Sequence, residues 1–359
     1  MHLDLNLEVD LSTPINTVEI LEILRTPPPV RLMDKLLENN QGRADREEVI
    51  LRARRAEAMG LQSARDLIDT EMNGTALICG SGPSIGDVES IKLIRKLQAR
   101  GAKVWSCNKT NDLLAAKGIV SDYVVLLDPK AHVSDYVKRL NPKTKCLIAS
   151  QCHDETFAKM KARGADIYLY HAGQDFEGHL PEPDNLLKTE YPPTHPWICI
   201  PGSTTVGMRA QQLAYCFGNR MFHMFGMDSS FRGNQSHAVD KPESQDIAVM
   251  PPIQVKSQHT GKRATFTATN HMARQCADVL MLMEKWENVI KAGTMELFDM
   301  RFHGDGMLPT MAAICGLHAD PEMNRQWSGI DTPPISTKIP RSYNGQEAQR
   351  RKEVLVYGR

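Results

Sequence analysis

Between residues 75 and 225, short apolar segments alternate with longer segments that have helical periodicity. Each apolar segment has the length and composition of a buried strand. The predicted strands are 76–79, 103–107, 123–127, 145–149, 167–170 and 221–225. The predicted helices are 84–100, 111–117, 154–163, 201–217 and, beyond a hairpin at 253–267, 271–291. This alternation predicts an α/β fold: a Rossmann-like, mostly parallel sheet with helices on both faces.

The two ends of the chain have a different pattern. Residues 1–74 show helical periodicity that three consecutive prolines interrupt, and we interpret them as a helical N-terminal extension. Residues 319–359 are rich in proline, serine and arginine, so we expect a loosely packed tail. The Rossmann-like domain is therefore predicted over residues 75–318.

Composition narrows the classes of partner. The chain has 43 Lys and Arg against 43 Asp and Glu, and this zero net charge predicts no nucleic-acid partner. No apolar run is long enough to span a bilayer, and the first residues lack the pattern of a signal peptide. Several of the eight cysteines lie in predicted strands, which favours free thiols and a cytoplasmic location. Assembly into a homo-oligomer is left open.

A glycine-rich turn follows the first predicted strand. It reads Gly80-Ser81-Gly82-Pro83-Ser84, and Ser84 is placed to cap the next helix. A strand, a glycine turn and a helix together offer backbone N–H groups to an anion, which we expect to be a nucleotide phosphate. The spacing matches neither the dinucleotide fingerprint nor a Walker A loop, so a tight turn without a ligand is the alternative.

Polar residues also follow other predicted strands or open helices of the same sheet. Because ligands of parallel sheets bind beyond the C-terminal ends of the strands, we expect these residues to share one site. Each residue also has a structural alternative as a turn former or an N-cap. The predicted nucleotide-binding residues are Gly80, Ser81, Gly82, Pro83, Ser84, Asn108, Asp128, Gly202, Ser203, Thr204 and Thr205.

Two residues are predicted to be catalytic, His271 and Asp228. His271 begins a predicted helix, and a histidine can take a proton from a hydroxyl near neutral pH; a packing or surface role is the alternative. Asp128 and Asp228 could hold a divalent metal through nucleotide phosphates. We assign no dedicated metal site; Asp128 is the residue for Mg²⁺ if one binds. Nearby side chains that could bind or screen phosphate are His237, Lys130, Arg209 and Arg232.

These motifs occur in a recognisable order. Residues 80–85, Cys107-Asn108, Asp128-Pro129, 202–207 and 226–228 together resemble a superfamily of transferases. It includes the 6-hydroxymethylpterin diphosphokinase MptE-like proteins and the motility-accessory-factor flagellin glycosyltransferases. More distantly, it includes the bacterial sialyltransferases that use a CMP-activated sugar. The resemblance covers about residues 75–315.

The resemblance implies a nucleotide-dependent transferase. The sialyltransferase branch implies a glycosyltransferase with a CMP-type sugar donor, an unidentified acceptor, and His271 as the general base. In that branch Asn108 and the glycine loop contact CMP, although Ser81 replaces the usual asparagine. The pterin branch implies pyrophosphoryl transfer from Mg-ATP with an Asp-x-Asp motif, of which only Asp128 is present. A non-catalytic nucleotide-binding or structural module is the third alternative.

Overall fold

The computed structural model describes residues 46–172, 197–200, 205–238, 252–257, 259–291 and 298–329. Three predicted site residues, Gly202, Ser203 and Thr204, lie outside the described residues. So do the first 45 residues of the predicted extension and residues 330–359 of the predicted tail.

The strands and helices follow the apolar pattern closely. The strands are β1 (Gln62–Ser63), β2 (Thr75–Cys79), β3 (Lys103–Cys107), β4 (Tyr123–Leu126), β5 (Lys145–Ala149), β6 (Asp166–Ala172), β7 (Cys199–Ile200), β8 (Met221–Phe225), β9 (Ile253–Lys256), β10 (Arg263–Phe266) and β11 (Asp299–Phe302). The helices are α1 (Arg46–Ala58), α2 (Val88–Gln98), α3 (Thr110–Ala116), α4 (Asp154–Ala162), α5 (Val206–Cys216), α6 (Asn270–Lys291), α7 (Met307–Ile314) and α8 (Pro321–Ser328).

The main sheet is parallel throughout the described residues. Its order is β1-β6-β5-β4-β3-β2-β8-β11, and β7 pairs with β6. The hairpin of β9 and β10 forms a separate two-stranded sheet. The α/β fold with a mostly parallel sheet is thus confirmed. The order changes direction at β2, because β3 to β6 lie on one side of it and β8 and β11 on the other.

The core lies on both faces of the sheet. In β2, Ala76 and Ile78 pack into the larger apolar cluster, while Leu77 and Cys79 pack into a second cluster with α2. All four side chains are fully buried. A strand that is buried on both faces needs a continuous apolar run, which is the pattern that predicted it.

One predicted helix is divided in the structure. Residues 84–100 were expected to form a single helix with Ser84 as its cap, but a 3-10 turn (Pro83–Gly86) precedes α2. Asp87 lies between them in an extended conformation, with φ −65° and ψ 142°. Ser84 therefore lies inside the turn and does not cap α2. Its side chain and amide are instead bound by Asp228.

The segments that flank the predicted domain pair with its sheet or pack against it. Residues 62–63, predicted as helical, form the edge strand β1 beside β6. At the other end, α8 packs against the domain: Trp327 is 3% exposed, and its carbonyl accepts a hydrogen bond from Ser257 Oγ. The described part of the predicted tail is thus closely packed rather than loose. The domain boundaries at residues 74 and 318 stay predictions.

Candidate functional site

A cleft opens at the C-terminal ends of β2, β3 and β4. It contains Ser81, Asn108 and Asp128, which follow these three strands in turn. The structure therefore brings together three residues that the sequence placed at one edge of the sheet. The full lining is Ser81, Asn108, Lys109, Thr110, Leu113, Asp128, Tyr136, His237 and Ala238.

Asn108 is the most unusual residue of the cleft. Its φ of 52° lies in the left-handed region, which a residue other than glycine seldom adopts. Its amide still donates to Val125 O of β4, at 3.2 Å, so the strand pairing continues up to this residue. The side-chain Oδ1 is buried and has no hydrogen-bond partner among the described residues. A buried acceptor without a donor costs about 1 to 3 kcal/mol, so a ligand that supplies the donor is stabilised there.

The glycine loop is bonded mainly to the protein itself. The amides of Gly80 and Gly82 donate to Phe225 O and Gly226 O, both at 2.8 Å. Ser81 N–H is the exception, since it has no acceptor among the residues that the structure describes. The sequence predicted a cradle of several free amides. The loop after β8 instead engages the amides of Gly80 and Gly82, and anion binding by this turn stays a prediction.

Close packing explains the glycines. A Cβ on Gly80 would lie 2.5 Å from Gly226 O and 2.9 Å from Met227 Sδ, and one on Gly82 would overlap Asp228 Oδ2. The crevice between β2 and β8, where the strand order changes direction, is thus filled by protein. The cleft lies beside this crevice, over the ends of β2, β3 and β4.

Asp228 is buried beside the glycine loop and does not line the cleft. Its Oδ2 accepts hydrogen bonds from the amide and the hydroxyl of Ser84, both at 2.9 Å, and the side chain is 3% exposed. Burial raises the pKa of this carboxyl, and the two bonds from Ser84 oppose the rise. Oδ1 is buried without a hydrogen-bond partner among the described residues. The geometry gives Asp228 a structural task, and its catalytic role stays a prediction.

The remaining predicted residues lie apart from the cleft. His271 is exposed on the first turn of α6, and its Nε2 lies 3.0 Å from Gln275 Nε2. Gln275 Oε1 in turn accepts from Ser229 Oγ, so the helix is linked to the loop after β8. Thr205 is buried as the N-cap of α5 and accepts from Met208 N at 3.0 Å. Neither His271 nor Thr205 lines the cleft.

Two predicted cationic residues are engaged with protein groups. Arg232 forms ion pairs with Asp87, at 2.7 Å, and with Asp305. Arg209 is buried and donates to Ile200 O. Both guanidinium groups thus have protein partners, and their role in screening phosphate stays a prediction.

The family model described as 6-hydroxymethylpterin diphosphokinase MptE-like matches residues 54–234, just over half of the chain. This chain belongs to the MptE-like family. The matched region contains β2 to β6 and β8, together with the cleft residues Ser81, Asn108 and Asp128. His237 and His271 lie beyond it.

Solved structures similar to this MptE-like chain include one described as the MAf glycosyltransferase from Magnetospirillum magneticum AMB-1. The sequences are 15% identical and the TM-score is 0.48. The alignment covers 87% of this chain and 42% of the other, so this chain spans less than half of that protein's length. A search of curated proteins gave no match.

Five residues of the MptE-like cleft were not predicted from the sequence: Lys109, Thr110, Leu113, Tyr136 and Ala238. Lys109 Nζ lies over the Tyr136 ring, 4.6 Å from its centroid. Lys109 directly follows Asn108, so its position at a strand end was a usable signal. Tyr136 comes from the segment after β4, and only the folded chain brings it to the cleft.

The described residues do not form a metal site made by protein side chains alone. No group of three or more His, Cys, Asp or Glu residues in the described ranges is arranged to hold a metal ion. Asp128 Oδ1 accepts a hydrogen bond from Lys130 N at 3.0 Å.

No helix in the described ranges is long and apolar enough to cross a membrane.

Proposed function

We propose that this MptE-like chain is a nucleotide-dependent transferase whose donor nucleotide binds in the cleft over β2, β3 and β4. The observation that carries the proposal is the buried, unpartnered Oδ1 of Asn108, held at the cleft by a left-handed backbone. A nucleotide supplies the missing donor from a ring amino group or a ribose hydroxyl. Membership of the MptE-like family supports a transferase.

The other predicted residues then take different tasks. Ser81 N–H donates to the nucleotide, and Asp128 accepts from a ribose hydroxyl. Gly82 and Ser84 act indirectly, because their packing on Asp228 fixes the loop that carries Ser81. Such fixed groups bind with little further loss of conformational entropy.

The reaction that we favour is sugar transfer from a CMP-type donor. The acceptor oxygen forms a bond to the anomeric carbon, the bond from that carbon to the phosphate oxygen breaks, and CMP leaves. We assign the acceptor proton to His271. Its exposed ring and its link through Gln275 to Ser229 place it near the loop after β8, which supports this role.

Diphosphoryl transfer from ATP to a pterin alcohol is the second candidate, and the description of the family model favours it. Such enzymes use Mg²⁺ to bind nucleotide phosphates. Within the described residues, Asp128 is the carboxylate that lines the cleft, without a second one beside it. These residues do not fit a Mg²⁺ site of two carboxylates, and we therefore assign no step to a metal.

A ligand panel separates these candidates. Thermal shift and calorimetry with CMP, CDP, UDP, GDP and ATP are measured with and without Mg²⁺. Stabilisation by CMP without metal supports sugar transfer, and stabilisation by Mg-ATP alone supports diphosphoryl transfer. No response to any nucleotide contradicts the proposed function and favours a non-catalytic module.

Asn108→Gly tests the role of the unpartnered side-chain oxygen of Asn108. Glycine accepts the φ of 52° without strain, so the variant removes the amide and keeps the backbone. We expect the fold to be retained and nucleotide affinity to fall about tenfold or more, because a hydrogen bond in a desolvated cleft is lost. Unchanged affinity would contradict the assignment.

His271→Ala separates catalysis from binding. We expect nucleotide affinity to be retained and turnover to be lost, since the ring does not line the cleft. Gln275→Ala, which removes the amide that contacts the ring and keeps the base, should lower turnover less than His271→Ala does. If His271→Ala stays active, the base is another group, and His237 is then the histidine at the cleft.

We also propose a reducing compartment, the cytoplasm. All eight cysteines are free, and burial raises the pKa of the Cys107 thiol to about 12, which keeps it unreactive.

A further inference from the structure

We propose that Lys109 recognises the phosphate of the donor and is held on Tyr136 until that phosphate arrives. The inference rests on the proposed function and names the chemistry that the cleft selects, a phosphorylated nucleoside rather than a nucleoside. Both residues line the cleft, and Lys109 directly follows Asn108 in the chain.

The Lys109 ammonium lies over an aromatic ring of the cleft. It forms no ion pair with a carboxylate of the described residues, and its contact is the Tyr136 ring at 4.6 Å from the centroid. Lys103 of β3, by contrast, is paired with a carboxylate, since its Nζ lies 3.5 Å from Asp122 Oδ1. A half-buried cation that lines a cleft and has no ion-pair partner of its own attracts an anion.

Lys109 has two contacts open to it, the Tyr136 ring and the phosphate of a bound donor. A cation over an aromatic ring is held by the quadrupole of the ring. A lysine and a phosphate form a charge-assisted hydrogen bond between full charges, which is the stronger interaction in a desolvated cleft. A phosphate that enters the cleft therefore displaces the ammonium from the Tyr136 face.

The backbone around Lys109 and Tyr136 is held by hydrogen bonds to α3. Asp112 of α3 accepts hydrogen bonds from the amides of Lys138 and Arg139, at 3.0 and 2.9 Å. Asn111 Nδ2 donates to Arg139 O at 2.8 Å. These bonds hold the segment after Tyr136 against α3, so the exchange of partners requires only a rotation of the lysine side chain.

The test measures how much the phosphate adds to affinity. Dissociation constants are determined for cytidine and CMP, and for adenosine and ATP, with the full-length wild type and with Lys109→Met. Methionine keeps a long flexible side chain on the Tyr136 ring and removes the charge. We expect the phosphorylated ligand to bind the wild type at least ten times more tightly than its nucleoside, and Lys109→Met to lose most of that factor while nucleoside affinity is unchanged.

Two further variants make the result specific. Lys109→Arg keeps the charge and should retain most of the factor. Lys143→Met removes an exposed lysine in the loop before β5, at the opposite edge of the sheet from the cleft, and should behave as the wild type. Raising the salt concentration should reduce the factor for the wild type and have little effect on Lys109→Met.

Different failures point to different errors. If the wild type binds neither nucleosides nor nucleotides, the proposed function is wrong, and this inference falls with it. If the wild type prefers nucleotides and Lys109→Met keeps the same preference, only the role of Lys109 is overturned. If Lys109→Met weakens nucleoside and nucleotide equally, Lys109 supports the shape of the cleft and does not contact the phosphate.

Discussion

At the scale of single residues, the glycine loop is defined by what surrounds it. Gly80 and Gly82 lie where a Cβ would meet the backbone and side chains of the loop after β8. Gly86, in the same turn, has room for a side chain, because a Cβ there would lie 3.6 Å from Ala238 Cβ, an ordinary van der Waals contact. The loop therefore contains glycines of two kinds, which one sequence pattern cannot separate.

Gly82→Ala should destabilise the protein. The new methyl overlaps Asp228 Oδ2 and lies 2.7 Å from Gly226 O, so the two loops must move apart. We expect a loss of about 1 to 3 kcal/mol in the free energy of unfolding, measured by chemical denaturation. Gly86→Ala is the matched control, with an expected change below about 0.5 kcal/mol. Equal effects of the two substitutions would show that the loops are not packed this closely.

At the scale of elements, α1 is attached to the edge of the sheet where the cleft opens. The Arg52 guanidinium donates to Pro129 O at 2.7 Å, to Gln151 O at 3.3 Å and to the Glu48 carboxylate. Pro129 directly follows Asp128 in the chain, and Asp128 lines the cleft. A helix that the sequence assigned to an extension thus supports the loop that carries a site residue.

Arg52→Met should therefore affect both stability and binding. Two carbonyls lose a charged donor, and we expect a cost of about 1.5 to 3 kcal/mol by denaturation. Nucleotide affinity should also fall, because the Asp128 loop is less well held. The control on the same helix is Arg55→Met, since the ion pair of Arg55 with Asp154 is half exposed on both sides and contributes below about 1 kcal/mol. If Arg52→Met lowers stability and leaves affinity unchanged, α1 has no part in arranging the cleft.

At the scale of the whole molecule, a pair of histidines joins the two strands on the far side of β2. His223 of β8 and His303, just after β11, have ring nitrogens 2.9 Å apart, and the Phe225 ring stacks on His303 at 4.0 Å. Burial lowers the pKa of His223 to about 4 and that of His303 well below its usual value. The folded protein thus holds both rings neutral.

This pair should make the protein sensitive to acid. The charges that act on it are Asp299, which raises the pKa of His223, Arg301, which lowers it, and His318, which lowers that of His303. The pKa of His223 in the folded protein, about 4, lies below its usual value of 6.5. Between these two pH values the unfolded chain therefore binds more protons than the folded protein does. The stability associated with this residue is complete above pH 6.5 and is lost as the pH falls from 6.5 to about 4.

The measurement is the free energy of unfolding across that pH range. His223→Gln removes one titrating group, so its stability should fall less steeply with acid than that of the wild type. His132→Gln, which leaves the pair intact, should follow the wild type. If His223→Gln and the wild type have parallel pH profiles, the pair does not govern acid stability.

The sequence alone determined the scaffold and one row of the site. β3, β5 and β8 have the predicted bounds, because a strand buried on both faces needs a continuous apolar run that local turn residues end. Polar residues at the ends of parallel strands share one edge, and this rule brought Ser81, Asn108 and Asp128 together before any coordinates.

Only the tertiary structure decided what these residues do at that edge. Ser84 and Asp228 are 144 residues apart, and Arg52 and Pro129 are 77 apart, yet each pair is in direct contact. Hydrophobic periodicity is a local property, and it carries no information on which carboxylate turns inward to hold a loop. The unpartnered oxygen of Asn108 and the position of Lys109 over Tyr136 arise from that long-range packing, because only the assembled sheet determines which polar groups find a partner.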